Sequence, residues 1–395
     1  MPATTRARTG IALGALSTAC FASVTSENLP VALLPQLAAG LGVPEPAVGL
    51  LMTGYAVVVA VTVVPLVAAT ARVDRRTTAL VTVAAVAVSN LLLAVAPGYG
   101  VAVAARLVSA AGHGVFWSVV APVAARLLGP ERAGRATAVV FAGNSLAFLL
   151  GLPLSSWLGT ALGWRATALV VAGVAALSAV LIRVTVDPLP AEPAAPREPG
   201  AVRSLGAVNL ATALVVTGHF AAFTYITAII ADRVHLTGSA TSALLFAHGA
   251  AGLVGLVLVG RLVDRRPQAT ALFATGGVAA CMVALLVAGP SAPLAGTAVV
   301  LWAAPAGAIG VVLQAAVLRA ARTRQDLASA VYVVAFQVGI ALGAVVGGLC
   351  LDRGALPVAL GVAAAGGLAA AVVVRRSAAF RGGRPAAPAP ARRPG

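Results

Sequence analysis

The stretches VTVVPLVAATARVDRR (residues 61–76) and GLVGLVLVGRLVDRR (residues 252–266) decide the reading of the fold. Each is an apolar run that ends in the same four residues, VDRR, at 73–76 and 263–266, an offset of 190 in a chain of 395 residues. A repeat placed this way, each time after an apolar run and close to half a chain apart, predicts two related halves. In both copies the acid, Asp74 or Asp264, precedes the next apolar run, where a helix N-terminus favours a carboxylate. The arginines beside it, Arg75, Arg76, Arg265 and Arg266, can pair with that acid and with helix C-termini across the seam between halves.

Outward from the repeat, apolar runs broken by Gly, Pro or charge give twelve segments. They cover 10–38, 46–70, 78–96, 99–128, 136–161 and 165–185 in one half, then 206–231, 240–262, 268–288, 294–319, 327–350 and 355–375 in the other. About 20 apolar residues suffice to cross a bilayer as a helix. The composition agrees: 60% of residues are hydrophobic, 10% are charged, and the mean hydropathy is +0.99. A soluble domain carries about 25% charged residues, so a water-facing surface is ruled out. Arg6 and Arg8 precede the first run as in a signal peptide, but that run is too long for one and carries Glu27; it reads as the first membrane helix. The expected organisation is an all-α membrane protein with a six-helix half over 1–185, a cytoplasmic Pro-rich linker over 186–205, a second half over 206–376 and a disordered Arg/Pro-rich tail over 377–395.

All 27 basic residues are Arg, against 11 acids. Without Lys there is no Walker A lysine and no Schiff-base amine, which excludes ATP-driven pumping by this chain, retinal binding and pyridoxal chemistry. Cys20, Cys281 and Cys350 have no metal or disulfide spacing, so no metal or cofactor is expected. With both termini on one side, Arg165, Arg233 and Arg353 fall on the far side, Arg106 falls inside a segment, and every other Arg lies on the near side. That bias marks the near side as cytoplasmic and assigns the net charge of +16 to topology and anionic lipid headgroups, not to nucleic acid.

Small residues recur at steps of four in the fifth segment (Gly143, Ala147, Gly151, then Pro153) and in the eleventh (Gly339, Gly343, Gly347). Such stripes let helix backbones approach closely, and Pro153 should bend its helix.

A charge inside a span costs at least about 2.5 kcal/mol and marks a pathway. Glu27 and Arg106 are the two deep ones, about 16 Å and about 10 Å below the outer ends of their helices, within reach of each other. They could form a permanent ion pair, or Glu27 could exchange a proton in competition with substrate. Arg106, His113 and Trp117 share one helix face within about 20°, a face unsuited to lipid tails that should line a central cavity. His113 could titrate, bind substrate or pack between its flanking glycines. Asn28, His219, Thr224, Tyr225, Trp302, Gln314, Tyr332 and Gln337 could add neutral polar contacts, a lining suited to small, mostly uncharged amphiphiles.

Taken together these residues resemble the major facilitator superfamily, and within it the twelve-helix drug:proton antiporter branch with chloramphenicol-resistance, sugar-efflux and purine-efflux proteins. GRLVDRR from Gly260 to Arg266 resembles the family's signature loop, and ARVDRR from Ala71 is a weaker copy. Arg106 with Gly112, His113, Gly114, Phe116 and Trp117 is similar to the branch's helix 4 motif. The run from Gly143 to Pro153, ending in Gly163, Trp164 and Arg165, is similar to its antiporter motif. Ser26, Glu27, Pro30, Leu33, Leu34 and Pro35 match its helix 1. Tyr332 and Gln337 stand where the branch often has Asn. The resemblance implies a monomeric secondary transporter of the bacterial cytoplasmic membrane that exports drugs against protons by alternating access. A permease for a sugar, nucleoside or other metabolite is the alternative. An integral membrane enzyme would need clustered carboxylates or His, and these are scattered; a channel would need a repeated selectivity sequence.

Overall fold

A computed structural model of the chain describes residues 3–191, 201–236, 238–288, 291–321 and 324–381. Residues 192–200 of the expected linker and 382–395 of the expected tail lie outside them. The twelve expected segments all form helices long and apolar enough to cross a membrane. Spans 1 to 6 are Ala7–Ala32, Leu50–Ala69, Arg75–Ala94, Tyr99–Leu128, Pro130–Leu162 and Trp164–Thr185. Spans 7 to 12 are Arg203–Phe223, Ala243–Leu262, Pro267–Val287, Ala292–Ala320, Gln325–Leu351 and Leu356–Arg376. The helix of span 7 begins at Ala201, earlier than the residue 206 expected for the second half. It breaks at Thr224 and Tyr225 before resuming at Ile226–Ile229.

The neighbour relations give the two halves directly. In the first half span 1 packs on spans 5 and 6, span 3 on spans 4 and 6, and span 2 on span 4. Adding six to each number reproduces the second half: span 7 on 11 and 12, span 9 on 10 and 12, span 8 on 10. The seam obeys the same rule, since span 5 meets spans 8 and 10 while span 11 meets spans 2 and 4. This is a pseudo-two-fold assembly of related bundles, as the repeated tetrapeptide predicts.

The small-residue stripes explain two of these pairings. A Cβ at Gly143 would fall on the Ser17 carbonyl of span 1, and one at Gly151 on Thr25 and Phe21. Ala147 between them is fully buried. In the second half a Cβ at Gly339 would meet Val216, one at Gly343 the Thr217 carbonyl, and one at Gly347 the Ala221 carbonyl, all on span 7. Each stripe thus brings two backbones together where no larger side chain fits. Span 5 does more than bend at Pro153: the turn before it, Ala147–Gly151, is a π-helix, with the Leu152 N–H donating to the Ala147 carbonyl five residues back. Proline cannot donate to the helix ladder, and a wider turn absorbs the mismatch.

Large apolar side chains such as Val61, Trp157 and Leu368 are turned outward. In water they would be a liability, but against lipid tails they are the matching surface.

Candidate transport site

Span 4 carries Arg106 and His113 on the face predicted for them, and span 1 brings Glu27 opposite. The guanidinium does not take the carboxylate in the ion pair that the sequence allows. Arg106 Nη1 donates to the Ser26 carbonyl at 2.7 Å and Nη2 to the Glu27 carbonyl at 2.8 Å. Pro30 explains the choice: it lies four residues after Ser26 inside the helix and has no N–H to give that carbonyl. A buried acceptor left unpaired is costly, so the arginine fills the gap. The Tyr55 ring of span 2 covers the guanidinium from one face, 4.6 Å from Cζ to the ring centroid, a cation–π contact.

With Arg106 occupied, the Glu27 carboxylate faces His113, at 3.7 Å from Oε2 to Nε2. That is an ion-pair distance when the ring is protonated and too long for a direct hydrogen bond. The Glu27 side chain is 23% accessible while His113 is 6% accessible, so the carboxylate opens onto free space and the imidazole does not. Tyr55 meets His113 edge to face at 5.3 Å and its hydroxyl lies 3.4 Å from Ser109 Oγ. From span 3, Asn90 Nδ2 donates to Ser26 Oγ at 2.7 Å. His113 is followed on its face by Trp117, at 6.0 Å between rings, and Trp117 meets Phe141 of span 5 at 5.1 Å.

The second half builds a different cluster at equivalent spans. Trp302 of span 10 donates from Nε1 to His219 Nδ1 of span 7 at 3.2 Å. An indole N–H only donates, so His219 holds its proton on Nε2. His248 of span 8 lies 2.7 Å from the Val299 carbonyl through Nδ1 and donates there, because a carbonyl only accepts. Phe223 stands between the imidazoles, stacked at 5.1 Å on His219 and 6.0 Å from His248, with the Trp302 ring edge-on to all three. Phe223 is also the last residue of the helix before span 7 breaks. Among the described residues, no Arg, Glu or Asp joins these rings.

The remaining expected lining residues are placed as follows. Tyr225 donates to the Ala344 carbonyl at 2.9 Å and packs on Gly347 and Gly348, so it joins spans 7 and 11. Gln314 donates to Ser329 Oγ at 2.7 Å and Tyr332 reaches the Gly310 carbonyl at 3.4 Å, both joining spans 10 and 11. Each of the three thus makes a hydrogen bond to a neighbouring helix. Asn28 and Thr224 bond the carbonyls of Val24 and Phe220 in their own helices, and Gln337 is half-buried on span 11. The sequence reading missed Tyr55 and Asn90. Tyr55, the single aromatic in span 2, was the available signal.

The two VDRR loops work differently. Asp74 caps its own helix, accepting from the Thr77 N–H at 3.0 Å, as expected. Arg75 is buried; it donates to the carbonyls of Thr70, Ala71 and Val73 and pairs with Asp326 at the start of span 11. In the second copy Asp264 does not cap its own helix. Its carboxylate accepts from the N–H groups of Gly134 at 2.8 Å and Arg135 at 3.0 Å, at the start of span 5. Gly260 allows that approach, since a Cβ there would meet Ala138. Arg265 and Arg266 are exposed, whereas Arg76 donates to the Val186 carbonyl at 3.3 Å. Both loops therefore tie the two halves together at the Arg-rich end, one through its arginine and the other through its aspartate.

Comparison with known proteins matches the sequence resemblance. Residues 16–344 match the family model described as Major Facilitator Superfamily. A chloramphenicol efflux pump of Mycobacterium tuberculosis (strain CDC 1551 / Oshkosh) is 38% identical over 361 residues, covering 86% of each chain. A protein of Helicobacter pylori (strain ATCC 700392 / 26695) named "Probable sugar efflux transporter" is 32% identical over 341 residues, covering 85% of this chain and 87% of its own. Among solved structures, the transporter FucP in its outward conformation superposes with a TM-score of 0.76 at 15% identity, over 92% of this chain and 97% of that one. The human organic anion transporter MFSD10 does so with 0.73 at 16% identity, over 95% and 98%.

Proposed function

We propose that this chain, which belongs to the major facilitator superfamily, is a proton-coupled exporter of small amphiphilic molecules in the bacterial cytoplasmic membrane. The observation that carries this reading is the Glu27 carboxylate, inside a span, accessible, and facing His113 instead of being tied to Arg106. A carboxylate held that way can take up a proton from one side and give it back on the other. Substrate and proton then compete for one region, which is sufficient to couple them. The efflux relatives support the direction, and the neutral aromatic cluster of the second half supports a flat, uncharged substrate moiety. The Arg-rich end faces the cytoplasm in this reading, and the Arg75–Asp326 and Asp264 contacts must separate for substrate to enter from that side. The chain acts as a monomer, makes and breaks no bond of its cargo, and needs no cofactor beyond the proton.

One proton moving down about 100 mV releases about 2.3 kcal/mol, enough for about a fifty-fold gradient at about 1.4 kcal/mol per decade. The test is accumulation of an amphiphile panel that includes chloramphenicol, in an efflux-deficient bacterium, with and without a protonophore. Wild type should lower accumulation, and both the protonophore and Glu27→Gln should restore it. Export that persists in Glu27→Gln yet collapses with the protonophore would remove Glu27 from the coupling path. The Helicobacter relatives favour a second reading, a sugar permease; uptake of a labelled sugar with no effect on the panel would support it.

A further inference from the structure

The two halves end their sixth spans at equivalent places and satisfy their arginines differently. After span 6, residues 186–191 fold back and supply acceptors: Val186 to Arg76, the Pro190 carbonyl to Arg126 Nη1 at 2.8 Å, and the Asp187 carboxylate to Arg8 at 2.7 Å. After span 12 the chain makes the turn Ala378–Phe380, and the Phe380 ring is fully buried, with the turn seated on spans 7, 9, 10 and 12. That anchor sets Arg381 beside Arg375 and Arg376. Together with Val372 they line a cleft of about 450 Å³.

Nothing within the described residues neutralises this cleft. None of its three arginine side chains has a hydrogen bond or ion pair there, and the sequence contains no Asp or Glu after Asp352. Gln268 Nε2 already donates to the carbonyls of Val374 and Arg375, at 3.2 and 3.1 Å, so the last carbonyls of span 12 do not draw the guanidiniums back. From Val372 in the cleft lining, Leu368 follows one turn away on the same face of span 12, and both are exposed. A guanidinium fork matches phosphate oxygens bidentately.

We infer that this cleft binds the phosphate of an anionic phospholipid, with an acyl chain lying along Val372 and Leu368. The apolar track favours a lipid over free phosphate. The test uses the full-length protein purified in detergent, with retention of phosphatidylglycerol read by native mass spectrometry and thermal midpoints recorded to check folding. Wild type should retain phosphatidylglycerol over phosphatidylcholine. The combined variant Arg375→Gln, Arg376→Gln, Arg381→Gln should weaken retention about a hundredfold. A control with three exposed arginines changed, Arg132→Gln, Arg183→Gln and Arg203→Gln, should retain lipid as wild type does. Wild-type retention by the first variant, or equal loss in the control, would overturn the site. Displacement of the lipid by millimolar inorganic phosphate would overturn the lipid as its occupant and assign the cleft to a free anion.

Discussion

The clusters at equivalent spans of the two halves have opposite chemistry. Spans 1, 2 and 4 gather Glu27, Tyr55, Arg106 and His113, one permanent cation, one titratable imidazole and one phenol ring around one carboxylate. Spans 7, 8 and 10 gather His219, Phe223, His248 and Trp302, held by one indole–imidazole bond and by ring stacking. One fold duplicated, with its helices meeting in the same pairs, thus supports a charge-handling site and a neutral aromatic one. The difference teaches that backbone packing sets where a site lies, and that a few side chains on the same helices set what it can do. In the proposed cycle the first half handles the proton and the second the apolar part of the cargo.

Removing Arg106 should break this division most severely. Arg106→Ala leaves the Ser26 and Glu27 carbonyls without their donor and should cost about 3 kcal/mol of stability, read from thermal unfolding of the purified protein. An unchanged midpoint would mean that another donor reaches those carbonyls. Glu27→Gln keeps the shape of the site and should leave the thermal midpoint nearly unchanged while the gradient of about fifty-fold collapses to none. A fall in midpoint as large as that of Arg106→Ala would instead make Glu27 a structural residue.

The seam offers a sharper contrast between the repeated loops. Asp326→Asn breaks the buried pair with Arg75, although Arg75 keeps its three carbonyls, and should favour opening at the Arg-rich end by about 2 kcal/mol, or about thirtyfold. Maleimide labelling of Val263→Cys, in a chain with its three native cysteines replaced by Ala, reads that opening. Equal labelling with and without the substitution would leave Asp264 as the main tie. The smallest effect is expected from Trp302→Phe, which removes one hydrogen bond of about 1 kcal/mol. It should raise the half-saturating substrate concentration about fivefold and leave the protonophore sensitivity intact; altered sensitivity would mean that the second half shares in coupling.

Much of this was legible in the chain. The twelve spans follow from apolar length, the two halves from VDRR and the glycine stripes, and the shared face of Arg106, His113 and Trp117 from helical periodicity. That Tyr225, Gln314 and Tyr332 each bond a neighbouring helix was not legible, because a polar side chain in a span can meet a neighbouring helix as readily as an open space, and periodicity reports only the face. Asp326 drew no notice because an acid in the first turn of a helix already has a local explanation in the helix dipole.

Composition and pattern by themselves determined that the chain crosses a membrane twelve times, in two related halves, with a carboxylate and a guanidinium placed inside spans within reach of each other. These depend on hydrophobic length and helical period, which are local properties. Only the tertiary structure decided which acceptor each donor reaches. Arg106 takes the carbonyl that Pro30 leaves open and so frees Glu27 for His113, while Asp264 caps a helix of the opposite half. Such choices turn on distances of a few ångströms between segments far apart in the chain, where several partners lie within reach and the costliest unpaired group is satisfied first.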